Sequence, residues 1–307
     1  MLANASMTAD CSKVFIIILN WNGWQDTVEC VESCLGLTYP NFQILIVDNC
    51  STDNSPTILQ KRFPDIDLLQ SGANLGFSGG NNVGIRYALA HGADHIWLLN
   101  NDTRVDCNAL SALVSVCESD SRIGIVGSKL YYYDEPNKIA FAGGCWKQSP
   151  LRPYHLGVNE TDHGQFDVIM EVDFITGCSL LIRSEVIEDI GVMHEEYFLY
   201  WEDIDWNARA AKHGWKILYV PQSKVWHKVS SSIGDKPLLQ AYYNVRNRLL
   251  FMSRHQPLKV FATLVQTAVV AVGYMIKGDK NSSIAYFMGL RDYLGKRFGK
   301  MVVTLPG

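Results

Sequence analysis

Six stretches of the sequence carry side chains that could bind or react with a ligand. Carboxylates, amides and an imidazole of this kind can contact a nucleotide, a hard divalent cation or a sugar hydroxyl. The stretches are NWNG (20–23), DNCSTD (48–53), NLGFSGGNN (74–82), NNDT (100–103), FLYWEDIDW (198–206) and VWH (225–227). Each also has a structural interpretation, as a turn, a helix cap or a satisfied histidine, so no single stretch decides the function.

Two of these stretches have the chemistry of a cation site and of a proton acceptor. Asn100-Asn101-Asp102 would form a hard-cation site if phosphate oxygens completed the coordination shell, although the same residues are common in turns. Glu202, Asp203 and Asp205 are costly to crowd together unless they face water, a cation or a helix start. The alternative for the acidic residues is that they favour the dipole of a helix in its first turn.

The elements that must position these residues alternate between strands and helices. Apolar runs predict strands over 14–20, 42–48, 66–69 and 95–102, with helices over 24–35, 55–61 and 79–91. This order predicts an α/β, Rossmann-like fold, with a mainly parallel sheet flanked by helices. Ligands of such sheets bind at the carboxyl ends of the strands, which is where the polar stretches lie.

The pattern changes beyond residue 105 to one that is typical of a mixed sheet. Strands are predicted over 123–126, 129–133, 168–175, 178–182, 215–220 and 224–226, with a helix over 204–213. The stretch between Trp146 and Phe166 has no pattern, and such a long loop is often a lid or a substrate edge.

Composition and charge exclude several classes of protein. The chain has 307 residues, of which 48% are hydrophobic and 19% charged, unlike a disordered, collagenous or coiled-coil protein. The net charge of −4 argues against a nucleic-acid partner, and the missing GxGxxG after the first strand argues against hydride transfer. The eight cysteines form no CxxC pair and the N-terminus lacks a secretory signal, so we expect reduced thiols in the cytoplasm.

The C-terminal part of the chain is basic and apolar. Residues 244–307 hold ten Lys and Arg against two Asp, a net charge of +8. The uncharged run 260–276 would span roughly 26 Å as a helix, short of the ~30 Å hydrocarbon core. A second apolar face is predicted over 284–298. We expect this tail to lie on an anionic cytoplasmic leaflet. The alternative is a helical hairpin packed on the catalytic domain or on a second subunit.

The order and spacing of the polar stretches resemble inverting glycosyltransferase family 2, which has the GT-A fold. The resemblance is strongest to its bacterial rhamnosyltransferase-like members, and it covers roughly residues 14–227. It is carried by FIIILNWNG, LIVDNCSTDNS, NLGFSGGNN, WLLNNDT, the segment from FITG to KHGW (174–215) and VWH; YYNVRN (242–247) is also similar to that subgroup.

The resemblance implies a site for a nucleotide-diphosphate sugar. Asn100-Asn101-Asp102 stands where the family has Asp-x-Asp, so Asp102 and His227 would bind Mg²⁺ or Mn²⁺ on the diphosphate. Asn100 replaces the first Asp of that motif, although its amide can still contact a ribose. The residues implied to contact the nucleotide sugar are Asn22, Asp48, Asn74, Asn82, Asn100, Asn101 and Asp102.

The resemblance also implies the residues that act on the acceptor. Asp203 falls on the position of the catalytic base, and Glu202 would orient it or hold the acceptor. Trp201 would offer a face to a sugar ring, with Thr176 and Gly177 also at the acceptor. Attack on the face opposite the diphosphate inverts the anomeric carbon in one displacement, which needs one base and no enzyme nucleophile.

The sequence therefore predicts a metal-dependent inverting glycosyltransferase. The best candidate reaction moves rhamnose from dTDP-rhamnose to a hydroxyl of a cell-surface polysaccharide or lipid-linked saccharide. Two alternatives stay open: a sugar-nucleotide nucleotidyltransferase, although NWNGW lacks the basic residue expected of its loop, and a non-catalytic sugar-nucleotide-binding protein.

Four segments and a membrane location complete the prediction. The segments are a flexible N-terminus (1–13), a nucleotide-sugar-binding half (14–104), an acceptor-binding and catalytic half (105–236) and a basic amphipathic helical tail (237–307). We expect a cytoplasmic protein that is peripheral on the inner membrane, and a homodimer through the C-terminal helices is possible.

Overall fold

One large sheet carries most of the predicted site. The computed structural model describes residues 11–148, 151–228 and 237–302, so most of the predicted flexible N-terminus lies outside the described residues. The chain divides into a sheet unit (residues 1–74, 80–192 and 206–232) and a helical unit (residues 75–79, 193–205 and 233–307).

The strands of the sheet unit agree with the predicted α/β architecture. Their bounds are β1 Val14–Asn20, β2 Phe42–Asp48, β3 Asp67–Gln70, β4 His95–Asn100, β5 Thr103–Val105, β6 Ile123–Tyr132, β7 Ile139–Phe141, β8 Gly144–Gln148, β9 Leu151–His155, β10 Met170–Glu171, β11 Ser179–Arg183 and β12 Lys216–His227. The order is β10-β12-β6-β11-β4-β1-β2-β3; β5 also pairs with β12, and β7 with β6. β1 to β4 are parallel, whereas β11 runs antiparallel between β4 and β6.

The helices alternate with these strands along the chain and then follow them. Their bounds are α1 Trp24–Leu35, α2 Ser55–Arg62, α3 Gly76–Ala90, α4 Ala109–Glu118, α5 Ser184–Ile190, α6 Glu202–Lys212, α7 Pro237–His255, α8 Val260–Ile276 and α9 Lys280–Leu294. Short 3-10 turns lie at Glu195–Tyr197 and Pro257–Lys259.

Parallel strand pairing brings the polar strand ends to one edge of the sheet. β1 is almost wholly buried, as expected of a β-branched strand that is covered on both faces. Its register with β2 sets Asn20 beside Asp48, and its register with β4 sets Leu19 beside Asn100. The three loops that follow β1, β2 and β4 are therefore neighbours.

Two glycines let α3 approach β1 closely. A Cβ on Gly80 would lie 2.6 Å from Leu19 Cδ1, and one on Gly84 would lie 2.7 Å from Ile17 Cγ2. Neither distance occurs for real side chains. The glycine-rich stretch therefore serves helix packing, and the helix that was predicted from residue 79 begins at Gly76.

Several predicted elements differ from those observed. The stretch after Trp146 is not a patternless loop, because Gly144–Gln148 and Leu151–His155 pair as an antiparallel hairpin. The strand predicted over 168–175 is reduced to Met170–Glu171. β6 joins two predicted strands into one. β12 does the same, with a register shift against β6 between Val220 and Lys224 that accommodates three extra residues.

The helical unit is built from α7, α8 and α9. Tyr242 and Tyr243 of α7 pack with Ala285 of α9, and Val245 packs with Leu290. α8 buries only a narrow polar and small stripe (Thr263, Thr267 and Ala271). Within the described ranges, one helical segment, Pro257–Ile276, is long and apolar enough to cross a membrane.

Candidate active site

A buried hydrogen-bond network joins the ends of β1 and β2. Asn20 Nδ2 donates to Asp48 Oδ1 at 2.7 Å and to Ser51 Oγ at 3.1 Å. Ser51 donates to the Asp48 carboxylate from its hydroxyl at 2.6 Å and from its backbone N–H at 3.0 Å. Asn20 and Asp48 are fully buried. The carboxylate predicted to contact the nucleotide therefore also fixes the loop after β2.

Asn22 links this loop to the one that follows β1. Its backbone has a left-handed φ of 53°, which asparagine tolerates better than most residues. Its Oδ1 accepts from the backbone N–H of Thr52 at 2.7 Å and of Asp53 at 3.3 Å. The predicted nucleotide-contacting residues Asn22 and Asp48 thus belong to one connected pair of loops.

The loop after β4 is tied to the same region. Asn101 Nδ2 donates to Thr27 Oγ1 at 3.0 Å and to the carbonyl of Gly23 at 3.3 Å. Asn100 ends β4 and is partly exposed. The structure therefore brings Asn22, Asp48, Asn100 and Asn101 to adjacent loops.

Two further predicted residues lie along α3 and the turn before it. Asn74 Oδ1 accepts from Asn49 Nδ2 at 3.4 Å, which connects it to the loop after β2. Asn82 lies inside α3 and is fully buried. A nucleotide contact by Asn82 stays a prediction.

Strand pairing also brings Asp102 and His227 together. β5 starts immediately after Asp102 and pairs with the end of β12, where Thr103 lies beside His227. As a result, Asp102 Oδ1 lies 3.1 Å from His227 Nε2, although 125 residues separate them, and the Asp102 side chain is only 2% exposed. Burial lowers the pKa of His227, but the neighbouring Cys178 sulfur and the Asp102 carboxylate raise it, and the net direction is upward.

The pair has the donor chemistry of a divalent-cation site. Two ligands on neighbouring positions of an octahedral ion, each about 2.1 Å from it, lie about 3 Å apart, close to the observed Asp102–His227 separation. Among the residues that the structure describes, no group of three or more His, Cys, Asp and Glu is arranged to hold a metal. Two protein ligands suit an ion that takes its other ligands from phosphates and water.

The ammonium group of Lys228, next to His227 in the chain, is paired with other carboxylates. Lys228 Nζ lies 2.8 Å from Asp26 Oδ1 and 2.7 Å from Glu29 Oε2, and it sits over the ring of Tyr133. These carboxylates on α1 raise the pKa of Lys228 despite its partial burial. The ammonium group therefore has its own counter-charges.

The predicted acceptor residues Thr176 and Gly177 follow a segment that α6 holds in place. The side-chain amide of Asn207 accepts from the backbone N–H of Ile175 at 3.0 Å and donates to its carbonyl at 2.9 Å. Gly177 is buried, whereas Thr176 is partly exposed. Their contact with an acceptor stays a prediction.

In the helical unit, a strained loop leads into α6. Phe198, Tyr200 and Trp201 have φ of 64°, 66° and 77°, in the left-handed region that favours glycine. Such residues cost of order 1–3 kcal/mol each and persist only where the surroundings hold them. The indole N–H of Trp201 donates to Asn244 Oδ1 at 3.0 Å, and the side chain is 6% exposed. Its predicted role as a sugar platform stays a prediction.

The three acidic residues at the start of α6 have different environments. Asp205 is fully buried and accepts from Tyr197 Oη at 2.9 Å, with His194 Nδ1 and His255 Nε2 at 2.9 and 2.8 Å. Glu202 is 4% exposed, and its Oε2 has no hydrogen-bond partner among the described residues. Asp203 is partly exposed, and its Oδ1 accepts from the N–H of Ile204 at 2.7 Å.

These environments separate the charge states of the first two. Burial raises the pKa of Glu202 well above its usual value, and the charges of Asp203 and Asp205 raise it further. Glu202 is therefore a neutral carboxylic acid over a pH range in which an ordinary glutamate is ionised. Asp203 is the residue of the pair that faces solvent.

The sequence model of glycosyl transferase family 2 matches residues 15–191, which is more than half of the 307 residues. The chain belongs to glycosyl transferase family 2. It is a glycosyltransferase, as its curated relatives also indicate. It is 28% identical over 239 residues to an N-acetylglucosaminyl-diphospho-decaprenol L-rhamnosyltransferase of Mycobacterium tuberculosis, covering 69% of this chain and 75% of the relative. It is 25% identical over 291 residues to the dTDP-rhamnosyl transferase RfbF of Shigella flexneri, covering 88% and 90%.

Solved structures confirm the predicted GT-A fold of this family 2 glycosyltransferase. A mannosyltransferase from Pyrobaculum calidifontis, solved with GDP-Man and Mn²⁺, matches with a TM-score of 0.59 at 13% identity, covering 93% of this chain and 88% of that one. GalNAc-T7, solved with UDP, GalNAc and Mn²⁺, matches with a TM-score of 0.57 at 15% identity, covering 80% and 55%.

Some residues that shape the site of this family 2 glycosyltransferase were missed in the sequence. Nothing in the sequence assigns a role to Asn207, although its side chain binds both the N–H and the carbonyl of Ile175. Asn247 donates to three carbonyls of the strained loop before Glu202. Only the likeness of YYNVRN to the rhamnosyltransferase subgroup marked Asn247, and it gave no hint of the contact.

Proposed function

We propose that the chain transfers rhamnose from dTDP-rhamnose to a hydroxyl of a lipid-linked saccharide, with inversion at the anomeric carbon and with Mg²⁺ or Mn²⁺. The observation that carries the metal-dependent part is the buried Asp102–His227 pair at 3.1 Å. The choice of donor and acceptor draws on relatives named as a decaprenol-diphosphate L-rhamnosyltransferase and a dTDP-rhamnosyl transferase.

Donor binding is assigned to the loops at the strand ends of the sheet unit. Asp102 and His227 would hold the cation, which when bound neutralises the charge that develops on the leaving diphosphate. Asn22, Asn100 and Asn101 offer amide groups from adjacent loops for the ribose and base. Asp48 holds the loop after β2 and, in this proposal, shares its carboxylate with the nucleotide.

Proton transfer is assigned to Asp203. Its carboxylate takes the proton of the acceptor hydroxyl while that oxygen forms the new bond to the anomeric carbon. The bond from that carbon to the diphosphate breaks in the same displacement, and the nucleoside diphosphate leaves. A positioned base of this kind contributes typically 10²–10⁴-fold to the rate.

Acceptor binding is assigned to the two buried polar atoms beside this base. Tyr200 Oη and Glu202 Oε2 have no hydrogen-bond partners among the described residues. Burial raises the pKa of Tyr200 to about 12, so its hydroxyl stays protonated. A neutral Glu202 and a neutral Tyr200 can each donate a hydrogen bond to a sugar oxygen, which supports a saccharide acceptor.

The test of this function is a transfer assay with purified protein. It offers dTDP-rhamnose, UDP sugars and GDP sugars to a polyprenyl-diphosphate N-acetylglucosamine, with Mg²⁺, Mn²⁺ or EDTA, and analyses the product by mass spectrometry and by NMR of the anomeric centre. We expect one added deoxyhexose, an inverted linkage and no product in EDTA. Transfer from another nucleotide sugar alone would overturn the donor, and full activity in EDTA would overturn the metal.

The outer face of α8 supports a location on the membrane surface. Phe261, Val269 and Ile276 of α8 are 77%, 65% and 79% exposed, and Leu258, in the turn before α8, is 98% exposed. Exposed Lys259 and Lys277 flank this apolar face, a combination that favours an anionic bilayer surface. We therefore place the enzyme peripherally on the cytoplasmic face of the membrane that holds its acceptor.

Vesicle binding tests this location. Wild-type protein is expected to sediment with vesicles that contain anionic phospholipid and not with neutral ones, and Phe261→Glu with Val269→Glu is expected to abolish the binding. Lys61→Glu, on exposed α2, is the matched control. A different result would be that neither the wild type nor the double variant binds vesicles, and that the wild type elutes as a dimer whereas the double variant elutes as a monomer. In that case the exposed face joins two copies of the chain. Extraction only by detergent would indicate a spanning helix.

A further inference from the structure

The strained loop before the catalytic residues is held by side chains of α7. The loop comprises residues 197–201, and every one of its carbonyls has a donor. Phe198 accepts from the N–H of Phe77 at 2.7 Å, and Trp201 accepts from the N–H of Asp205 at 2.9 Å. The other three carbonyls, of Tyr197, Leu199 and Tyr200, face α7.

The side-chain amide of Asn247 lies within hydrogen-bond distance of all three of those carbonyls. Its Nδ2 lies 2.9 Å from the oxygen of Tyr197 and 2.8 Å from those of Leu199 and Tyr200. Its Oδ1 accepts from Arg246 Nε at 2.9 Å, which fixes the orientation of the amide. Asn247 is fully buried. The contact therefore requires a donor at this position, because an oxygen in its place would face three acceptors.

Arg246 reinforces the same segment from a fully buried position. Its guanidinium donates to the carbonyls of Tyr197 at 2.9 Å and Glu196 at 3.2 Å, and to that of Gly299 at 2.6 Å. It also lies over the rings of Tyr242 and Tyr243. A buried cation with these neighbours is costly to move, so its hydrogen bonds make the start of the loop rigid.

Asn244 lies one turn earlier on the same helix and also contacts the loop, but it accepts a hydrogen bond where Asn247 donates. Its Oδ1 accepts from the indole N–H of Trp201 at 3.0 Å, while its Nδ2 donates to the carbonyl of Gln240 within α7. Trp201 therefore requires an acceptor at position 244. Asn244 and Asn247 together constrain a loop whose three left-handed residues would otherwise relax.

The geometry points to Asn247, Arg246 and Asn244 as positioning residues for Asp203. We infer that this set, the α7 clamp, holds Trp201 in its left-handed conformation and so fixes where α6 begins and where the Asp203 carboxylate points. The inference rests on the proposed role of Asp203 as the base. It assigns YYNVRN a task in catalysis beyond filling the core of the helical unit.

The test makes the same substitution at two positions of α7. Asn247→Asp keeps the size of the side chain but replaces the required donor with an acceptor, so we expect kcat to fall about 10²-fold, the cost of a misplacement of about 1 Å. Asn244→Asp keeps the required acceptor and loses only the exposed hydrogen bond to the Gln240 carbonyl, so its loss of kcat is expected to be much smaller than that of Asn247→Asp. Asn244→Leu, which has no acceptor, is expected to lose activity. Affinity for dTDP-rhamnose with Mn²⁺, measured by calorimetry, should stay the same in all three. Arg248→Gln, on another face of α7, is the control.

Hydrogen exchange of the full-length protein measures how firmly the α7 clamp holds the loop, independently of turnover. Asn247→Asp is expected to increase exchange in peptides that cover residues 197–204, and Arg248→Gln is not. Unchanged kcat and unchanged exchange in Asn247→Asp would overturn the inference, as would equal losses in both aspartate variants. If the wild type transfers no sugar but the exchange pattern appears, the function fails and the clamp stands. Should Asn247→Asp not fold, Asn247→Ser, with one donor, is expected to give an intermediate kcat.

Discussion

The two units hold their site residues by different means. In the sheet unit, Asp48 ends a regular strand, Asn22 and Asp102 lie two residues beyond strand ends, and strand pairing brings Asp102 to His227. In the helical unit, Asp203 follows a loop with three left-handed residues, and the loop is held by side chains more than 40 residues further along the chain.

This difference indicates how each part tolerates change. The Asp102–His227 pair inherits its position from the sheet, so the loss of the Asp102 carboxylate removes a candidate ligand and leaves the paired backbone in place. A strained loop stays in place only while its external donors persist. Substitutions in the helical unit should therefore disturb geometry and stability together.

The largest expected effect is that of removing the carboxylate of Asp203. Asp203→Asn should lower kcat by 10²–10⁴-fold because the acceptor hydroxyl loses its base. The affinity for dTDP-rhamnose with Mn²⁺ should change little, because donor binding is assigned to the sheet unit. Steady-state kinetics and calorimetry test both statements. Retained turnover would remove Asp203 as the base.

The next largest effect is the loss of stability when a glycine is replaced by alanine, compared between one position in each unit. Gly76 and Gly72 have nearly equal φ, 72° and 77°, but a Cβ on Gly76 would lie 2.2 Å from the carbonyl oxygen of Phe198, whereas nothing lies within 4 Å of one on Gly72. Gly76→Ala should therefore lower the free energy of unfolding by about 3 kcal/mol. Gly72→Ala should lower it by only about 1 kcal/mol, the cost of the left-handed backbone.

Urea denaturation monitored by circular dichroism measures this pair. Equal losses in the two variants would mean that the contact with the Phe198 carbonyl adds nothing. The difference between the units in their tolerance of strain would then be unsupported.

A smaller effect is expected at the cation pair of the sheet unit. Asp102→Asn keeps the shape of the side chain but removes its charge, so Mn²⁺-dependent affinity for dTDP-rhamnose should fall 10–100-fold. Without metal, the thermal stability should fall only by the lost attraction between the Asp102 carboxylate and His227, because the backbone there is set by strand pairing. Asp134→Asn, at an exposed turn, is the control. Calorimetry that shows wild-type affinity in Asp102→Asn would contradict the metal assignment.

The smallest effect concerns the pH dependence of stability. The raised pKa of Glu202 means that the folded protein keeps a proton that the unfolded chain releases near pH 4.5, so wild-type stability falls as the pH rises above that value. Gln cannot ionise, so Glu202→Gln should have the higher Tm at pH 8, with the difference vanishing below about pH 4. Exposed Glu188→Gln should show no such trend. A Tm difference that is independent of pH would mean that Glu202 is ionised in the folded state.

The parts that the sequence predicts well are those in which one local pattern decides the structure. β1, β2, α1 and α8 have the predicted bounds, because doubly covered strands give continuous apolar runs and isolated helices end at clear breaks. The family resemblance was confirmed by the match over residues 15–191. The carboxylate, amide and imidazole clusters were also visible, since their residue types are unusual at strand ends.

The parts that were missed depend on contacts between distant residues. The hairpin at 144–155 contains Pro153 opposite Trp146, and proline normally argues against a strand, yet a two-stranded edge accepts it. No periodicity relates Asn247 to Tyr200, so the donor that holds the loop could be found only in three dimensions. The burial of Asp205, one of the three crowded acidic residues, was likewise explained by Tyr197 and two histidines outside the motif.

The three extra residues in β12 determine on which face of the sheet each later side chain of the strand lies. Side chains alternate between the faces of a sheet, so deleting one residue of 221–223 would turn the imidazole of His227 to the opposite face while β1, β2 and β4 kept their places. If His227 binds the cation as proposed, the loss of a single codon there would remove a metal ligand. The register shift in β12 therefore sets the geometry of the proposed cation site.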